Sequence, residues 1–232
     1  VGRRELPDVT LVAIDSVAHD LTRLAIEDTL REIEPAEVIW YSDRSPPFGA
    51  PHAIGFKLDS YDDVARTLWH AVPHFVSTSH FLVIQYDGWV LDGSAWRPEW
   101  LECDYIGAPW WYRDGFNVGN GGFSLRSTAL MRWLASHDYP PRHPEDATLC
   151  REYRKPLERE GFIWASNVEA RRFSFERTLK TGDSFGFHGL FNFPHILGRE
   201  ALLRRIELAS AHVRRKPEWG EMMAAARPVL VA

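Results

Sequence analysis

The chain has 232 residues, 45% hydrophobic and 25% charged, so it can bury a full core and falls in the range of one large or two small domains. A formal net charge of −5 excludes a generally basic surface, and the local runs Arg171-Arg172 and Arg214-Arg215-Lys216 do not change the expectation of no nucleic-acid partner. Cys103 and Cys150 are the only cysteines and lack C-x-x-C spacing, which suggests neither a zinc site nor a disulfide framework and makes a reducing cytoplasm the expected compartment.

No apolar run is long enough for a transmembrane helix, and the first residues, "VGRRELPDVT", lack both an initiator Met and the apolar centre of a signal peptide. Peripheral membrane contact is left open, and so is an anchor preceding Val1. We expect a single domain over residues 1–232, with its core at about 9–213 and a C-terminal tail at 214–232 that is loosely held after Lys216.

In chain order, "DVTLVAID" (8–15) reads as a strand, Val17, Leu21, Leu24 and Ala25 mark a helix, and "EVIWYSD" (37–43) reads as a second strand. Strand, helix and strand with short connections predict a parallel βαβ start that leaves Asp15 and Asp43 at strand carboxyl ends. The Pro- and Gly-rich stretch 44–51 is expected to be loop, followed by "GFKL". A helix then puts Tyr61, Val64, Ala65, Leu68 and Val72 on one face, and Pro73 ends it.

"FLVI" (81–84) has the continuous apolarity of a strand buried on both faces, and Gln85-Tyr86-Asp87-Gly88 places an acid at its solvent-facing end. "DYIGAPW" (104–110) and "GGFSLRS" (121–127) read as two more strands, the second feeding a helix with Leu130, Trp133 and Leu134. Glu145 opens a helix carrying Asp146, Leu149, Cys150, Tyr153 and Leu157, where helix capping alone would account for the two acids. "FIWAS" and "ARRFSFE" read as late strands, and Leu202, Ile206, Ala209 and Val213 as a C-terminal helix. The pattern is α/β with a mixed sheet.

Three constellations carry chemistry. Asp87 ends a buried strand, and ligands of α/β sheets bind beyond strand ends. "FNVGNGGFSLRS" (116–127) packs three Gly and two Asn into six residues, a density that permits close backbone approach and positive φ. It matches no dinucleotide or P-loop fingerprint, and a plain hairpin turn is the alternative. "FGFHG" (185–189) offers a late His that could complete a metal site.

In order, "QYDG", "DYIGAPW" with "VGNGGFSLRS", "EDATLCR" and "FGFHG" resemble the bacterial GT-A-fold glycosyltransferases long catalogued as a domain of unknown function, over about Val9 to Pro194. The resemblance implies a Rossmann-like domain with a mixed central sheet flanked by helices. It implies a nucleotide-sugar donor (UDP favoured), a carbohydrate acceptor and a divalent cation, Mn²⁺ or Mg²⁺. Asp87 and His188 match its metal ligands, with Gln85 standing where the first acid of the usual Asp-x-Asp falls.

Asp15, Ser42, Asp43, Gln85, Tyr86 and Asp87 match the nucleotide side, and Asn120, Gly121 and Gly122 match the loop facing the transferred sugar. Glu145-Asp146 resembles the helix start that supplies the general base of inverting members, with Asp146 favoured. Trp110 and Trp111, aromatic beside glycines, suit an acceptor rim. The competing expectations are a non-catalytic carbohydrate-binding module, for which Trp-rich walls suffice, and a serine hydrolase reading of "GDSFG" (182–186), which lacks an Asp after Ser184 for the usual triad order.

Overall fold

The computed structural model describes residues 2–44, 60–177 and 182–231. The stretch 45–51 and "GFKL" therefore lie outside the described residues. Strand β1 (Arg4–Ile14), helix α1 (His19–Glu32) and strand β2 (Ile33–Tyr41) form the expected unit, with β1 and β2 parallel and Ile14 beside Tyr41. Leu21, Leu24 and Ala25 are buried on α1, whereas Val17 precedes the helix and is exposed.

Strand β3 (His80–Ile84) is buried at every position, as its unbroken apolarity requires, and pairs parallel to β1. β4 (Tyr105–Gly107) and β5 (Phe123–Ser127) complete a five-stranded sheet of order β2-β1-β3-β5-β4, in which β5 is antiparallel to both its neighbours. Three parallel strands thus end at one edge. Because Ile84 pairs with Phe123, the reversed strand β5 begins at that same edge and delivers the glycine loop there.

Helix α2 (Tyr61–Arg66) runs through a π-helical segment, Thr67–Ala71, into α3 (Val72–Phe75). Pro73 does not end the helix as predicted, because it falls at the start of α3 where its missing N–H is tolerated. Tyr61 is half exposed rather than on the buried face. Ser127 Oγ accepts from Leu130 N–H (3.0 Å) to cap α4 (Thr128–Ser136), whose Leu130 and Leu134 are buried. α5 (Glu145–Ala147) likewise passes through a π segment, Thr148–Glu152, to α6 (Arg154–Arg159), with Leu149, Cys150 and Leu157 buried. Both cysteines are free.

Four late segments differ from expectation. "FIWAS" forms no strand, and only Trp164 bridges to Tyr105. Most of "ARRFSFE" is helix α7 (Asn167–Phe173), leaving β6 (Ser174–Phe175) to pair with β7 (Gly186–Phe187). Ser166 Oγ accepts from Glu169 N–H (3.2 Å), the cap of an S-x-x-E start that outweighs the β-like composition behind it.

After α8 (Phe193–Ile196), the single helix expected near the C-terminus is divided into α9 (Arg199–Leu208) and α10 (Ala211–Arg214), because Ser210 caps a new start at Val213 N–H. The supposed loose tail is helix α11 (Pro217–Val231), which packs on α8 and buries Met222 and Ala226. Two fully buried indoles, Trp69 and Trp100, belong to the core, and Trp100 meets Phe173 edge-on at 5.1 Å.

Candidate functional site

The turn after β3 explains why the apolar run stops. Gly88 N–H donates to the Gln85 carbonyl (3.1 Å), and Gly189 N–H donates to the Asp87 carbonyl (2.8 Å), which stitches the turn to the chain after β7. A Cβ on Gly88 would lie 2.7 Å from the Phe187 carbonyl oxygen, so only glycine permits this approach. His188 is thereby carried to Asp87. Asp87 is 7% exposed rather than solvent-facing, and its buried Oδ1 makes no full hydrogen bond, only an ion pair with His188.

His188 Nε2 lies 3.3 Å from Asp87 Oδ1 and 3.3 Å from Gln85 Oε1, while its Nδ1 lies 3.2 Å from Glu176 Oε1. Burial works against a charged imidazole, but Asp87 and Glu176 outweigh it and push His188 up to about 10. Burial likewise opposes ionisation of Asp87, and His188 reverses that, holding its carboxyl below the ordinary value.

The glycine loop is a cradle, not a simple hairpin turn. A Cβ on Gly119 would sit 2.1 Å from the Trp110 ring, one on Gly122 2.0 Å from His188 Nε2, and one on Gly121 3.0 Å from the Asp146 side chain. Asn120 takes the left-handed conformation (φ 47°) and reaches His188 Nδ1 at 3.2 Å. Gly121 N–H donates to Asp146 Oδ2 (2.9 Å), and Ala147 N–H donates to Oδ1 (2.8 Å). Burial, and then the neighbouring Glu145, raise the Asp146 carboxyl above its ordinary value.

Glu145 is differently committed. Its carboxylate takes Arg126 Nη1 (2.5 Å) and Nη2 (3.1 Å) and also accepts from Trp69 Nε1–H (2.5 Å). Arg126 has a completely buried side chain, so Glu145 neutralises a core cation rather than merely capping a helix.

Two adjoining cavities open at this edge. The acid-side cavity, about 200 Å³, is lined by Gln85, Gly121, Gly122, Glu145, Asp146 and His188 among others. The second, about 170 Å³, is lined by Asp15, Gln85, Tyr86, His212 and Lys216 among others. Ile14, Tyr61, Val64 and Gln85 line both.

The remaining predicted residues sit elsewhere or nearby. Asp15 accepts backbone N–H from Val17 (3.2 Å) and Ala18 (2.9 Å), and burial still raises its carboxyl despite them. Ser42 Oγ accepts from Arg44 N–H (3.3 Å) and Asp43 pairs with His19 (2.6 Å); neither residue lines these cavities. Trp110 packs on the glycine loop, and Trp111 stands 68% exposed beside Tyr112.

The donors at Asp87 and His188 fit a divalent cation. Two ligands each about 2.1 Å from a metal and roughly at right angles lie about 3.0 Å apart. The observed 3.3 Å between Asp87 Oδ1 and His188 Nε2 is close to that edge, so a cation could take the place of the proton that lies between them. Among the described residues no group of three or more His, Cys, Asp or Glu is placed to hold a metal ion. A cation here would take its remaining ligands from water and phosphate oxygens, the usual habit of Mg²⁺.

Ser184 does not behave as a nucleophile. It is 1% exposed, and its hydroxyl donates to the Gly186 carbonyl (3.1 Å). The sequence reading missed Lys216, His212, Arg126 and Glu176. Lys216 is fixed between α10 and α11, its N–H on Val213 O (3.1 Å) and its carbonyl accepting from Trp219 N–H (3.0 Å), with Nζ 5.0 Å from the Tyr86 ring centroid. Pro217 followed by Glu218 marks a helix start and was the available signal for this turn.

Among solved structures, a glycosyltransferase involved in the glycosylation of the major capsid of PBCV-1 superposes with a TM-score of 0.51 at 13% identity, covering 86% of this chain and 98% of that one. The galactosyltransferase LgtC, in complex with donor and acceptor sugar analogs, gives 0.46 at 12% identity, covering 92% and 99%. No curated protein matches significantly. Among the described residues no helix is long and apolar enough to cross a membrane. The mixed sheet flanked by helices is the GT-A glycosyltransferase fold. With residues 60–188, more than half of the chain, matching its model, this chain belongs to the family described as protein of unknown function DUF5672.

Proposed function

We propose that this protein transfers a sugar from a nucleoside-diphosphate sugar, UDP favoured, to a hydroxyl of a glycan-type acceptor, with inversion at the anomeric carbon. The observation that carries the reading is the joint placement of Asp146, Gly121, Gly122, Gln85 and His188 around one cavity at the edge where the strands end. The GT-A fold of the chain agrees with it.

In this reading the nucleotide occupies the cavity of Asp15, Tyr86 and Lys216, with the diphosphate toward Gln85 and the sugar over Gly121 and Gly122. Asp146 deprotonates the acceptor hydroxyl. Its raised carboxyl makes it a stronger base than an ordinary aspartate, and its backbone hydrogen bonds keep both oxygens oriented. Glu145, consumed by Arg126 and Trp69, is the weaker candidate. Lys216 lies where its charge can balance the departing diphosphate.

Asp87 and His188 would hold Mn²⁺ or Mg²⁺, which when bound neutralises charge on the diphosphate. The exposed Trp111 and the adjoining Trp110 would meet the acceptor ring.

The test is thermal stabilisation by UDP, GDP, dTDP, ADP and NAD with Mn²⁺ or Mg²⁺, followed by product analysis with the UDP-sugars that bind. A larger shift for UDP than for ADP or NAD is expected, because a specific ligand stabilises by mass action. Equal shifts would reject the donor class, and a product with the donor's own anomeric configuration would reject inversion.

A further inference from the structure

The ring of His188 has two faces of different character. Nε2 turns to the cavity, 3.3 Å from both Asp87 Oδ1 and Gln85 Oε1, while Nδ1 turns inward, 3.2 Å from Glu176 Oε1 and 3.2 Å from the Asn120 amide nitrogen as assigned. A carboxylate can only accept, so a bare Nδ1 would set lone pair against lone pair. An amide can turn over. With Asn120 Oδ1 and Nδ2 exchanged, an acceptor faces Nδ1 and the Oδ1 now buried without a partner gains one.

The backbone of both residues is also held in place. Asn192 Nδ2 donates both to the Glu176 carbonyl (3.1 Å) and to the His188 carbonyl (2.8 Å), and His188 N–H donates to the Phe175 carbonyl (3.0 Å). Glu176 and His188 are thus clamped side by side at the ends of β6 and β7.

We infer that Glu176 is a positioning residue: it holds the Nδ1 proton of His188, so that the Nε2 proton facing Asp87 is the one a divalent cation displaces, leaving Nε2 as the nitrogen that meets the donor's cation. This rests on the transferase reading for the cation, though not for the proton. A carboxylate on the far nitrogen of a ligating histidine fixes ring orientation and raises ligand basicity. Glu176 itself touches neither substrate nor metal in this scheme. No sequence motif marks it, since it follows β6 as an ordinary charged residue.

Two measurements on the full chain decide it. Side-chain ¹⁵N NMR of the metal-free protein, with the His188 signal assigned by its loss in His188→Gln, is expected to show a protonated Nδ1 protected from exchange in wild type and in Glu176→Gln, and loss of that protection in Glu176→Ala. Mn²⁺ affinity in the presence of UDP, read by electron paramagnetic resonance, is expected to fall about 10- to 100-fold in Glu176→Ala and to recover largely in Glu176→Gln. An unprotonated Nδ1 in wild type, or unchanged Mn²⁺ affinity in a folded Glu176→Ala, overturns the inference. If wild type binds no Mn²⁺ with UDP, the metal part of the transferase reading falls, and with it the presentation of Nε2 to a cation. The NMR result then still decides where the proton sits. If Glu176→Ala fails to fold, the wild-type and Glu176→Gln spectra decide the point.

Discussion

The two cavities at the end of β3 share Gln85 and Tyr61 but are built on different principles. On the acid side, charge is locked into the fold: Glu145 on buried Arg126, Asp146 on the Gly121 and Ala147 amides, and Asp87 on His188. On the side proposed for the nucleotide, the cation Lys216 is held by its backbone, in a turn between two C-terminal helices. The difference teaches that neighbouring charged residues can have separate jobs. Substitutions on the acid side should divide into losses of rate and losses of fold, while those on the nucleotide side should reduce ligand affinity alone.

The sharpest division lies between adjacent residues. Asp146→Asn is expected to lower transfer about 10²- to 10⁴-fold, the usual cost of losing a general base, while the protein stays folded. Glu145→Ala strands a buried guanidinium and is expected to cost roughly 3–5 kcal/mol of stability, read by urea denaturation. If Asp146→Asn transfers sugar normally, or Glu145→Ala leaves the denaturation midpoint unchanged, the separation of roles fails.

Lys216→Ala comes next. Losing one charge-assisted contact is expected to weaken UDP binding about tenfold, or about 1.4 kcal/mol, with little change in melting temperature. Calorimetry of UDP binding measures it, and unchanged affinity would move the diphosphate away from Lys216.

The contrast also separates what the sequence discloses from what it hides. β1, β2, β3 and β5 are legible because buried strands leave apolar runs and end on turn residues, which put Asp15 and Asp87 at the proper edge. The glycine cluster is legible because only glycine survives contacts as close as that of Gly122 with His188. By contrast, the roles of Arg126 and Glu176 depend on partners distant in sequence, which no local pattern records. Helices α7 and α11 were missed for a different reason, since each opens on a readable start, Ser166-x-x-Glu169 and Pro217-Glu218, that deserved more weight than the composition after it.

A smaller effect concerns pH. Burial and Glu145 raise the Asp146 carboxyl above its ordinary value of 3.8, so the acidic limb of kcat/KM should lie above that value, with activity lost as pH falls through it. For an acid whose folded pKa is raised, ionisation costs stability at pH above the folded value, and the cost vanishes below 3.8 where both states are protonated. Asp146→Asn removes that ionisation cost but can accept only one of the two backbone N–H groups, so its stability relative to the parent should fall between pH 7 and pH 3, which paired melting curves would check.

The smallest expected effect on the fold is that of Trp111→Ala. Trp110 is wedged against Gly119, so its removal opens space over the glycine loop, whereas Trp111 leaves 68% of its surface in water beside Tyr112 and supports little of the core. Its loss should change stability by less than about 0.5 kcal/mol. UDP binding should also be unchanged, because Trp111 lines neither cavity. If the exposed ring receives the acceptor, the one parameter to move is the acceptor KM, which should rise while kcat at saturating acceptor stays near the parent value. A kcat loss with unchanged acceptor KM would instead place Trp111 in the chemistry, and no change in any parameter would remove it from the acceptor site.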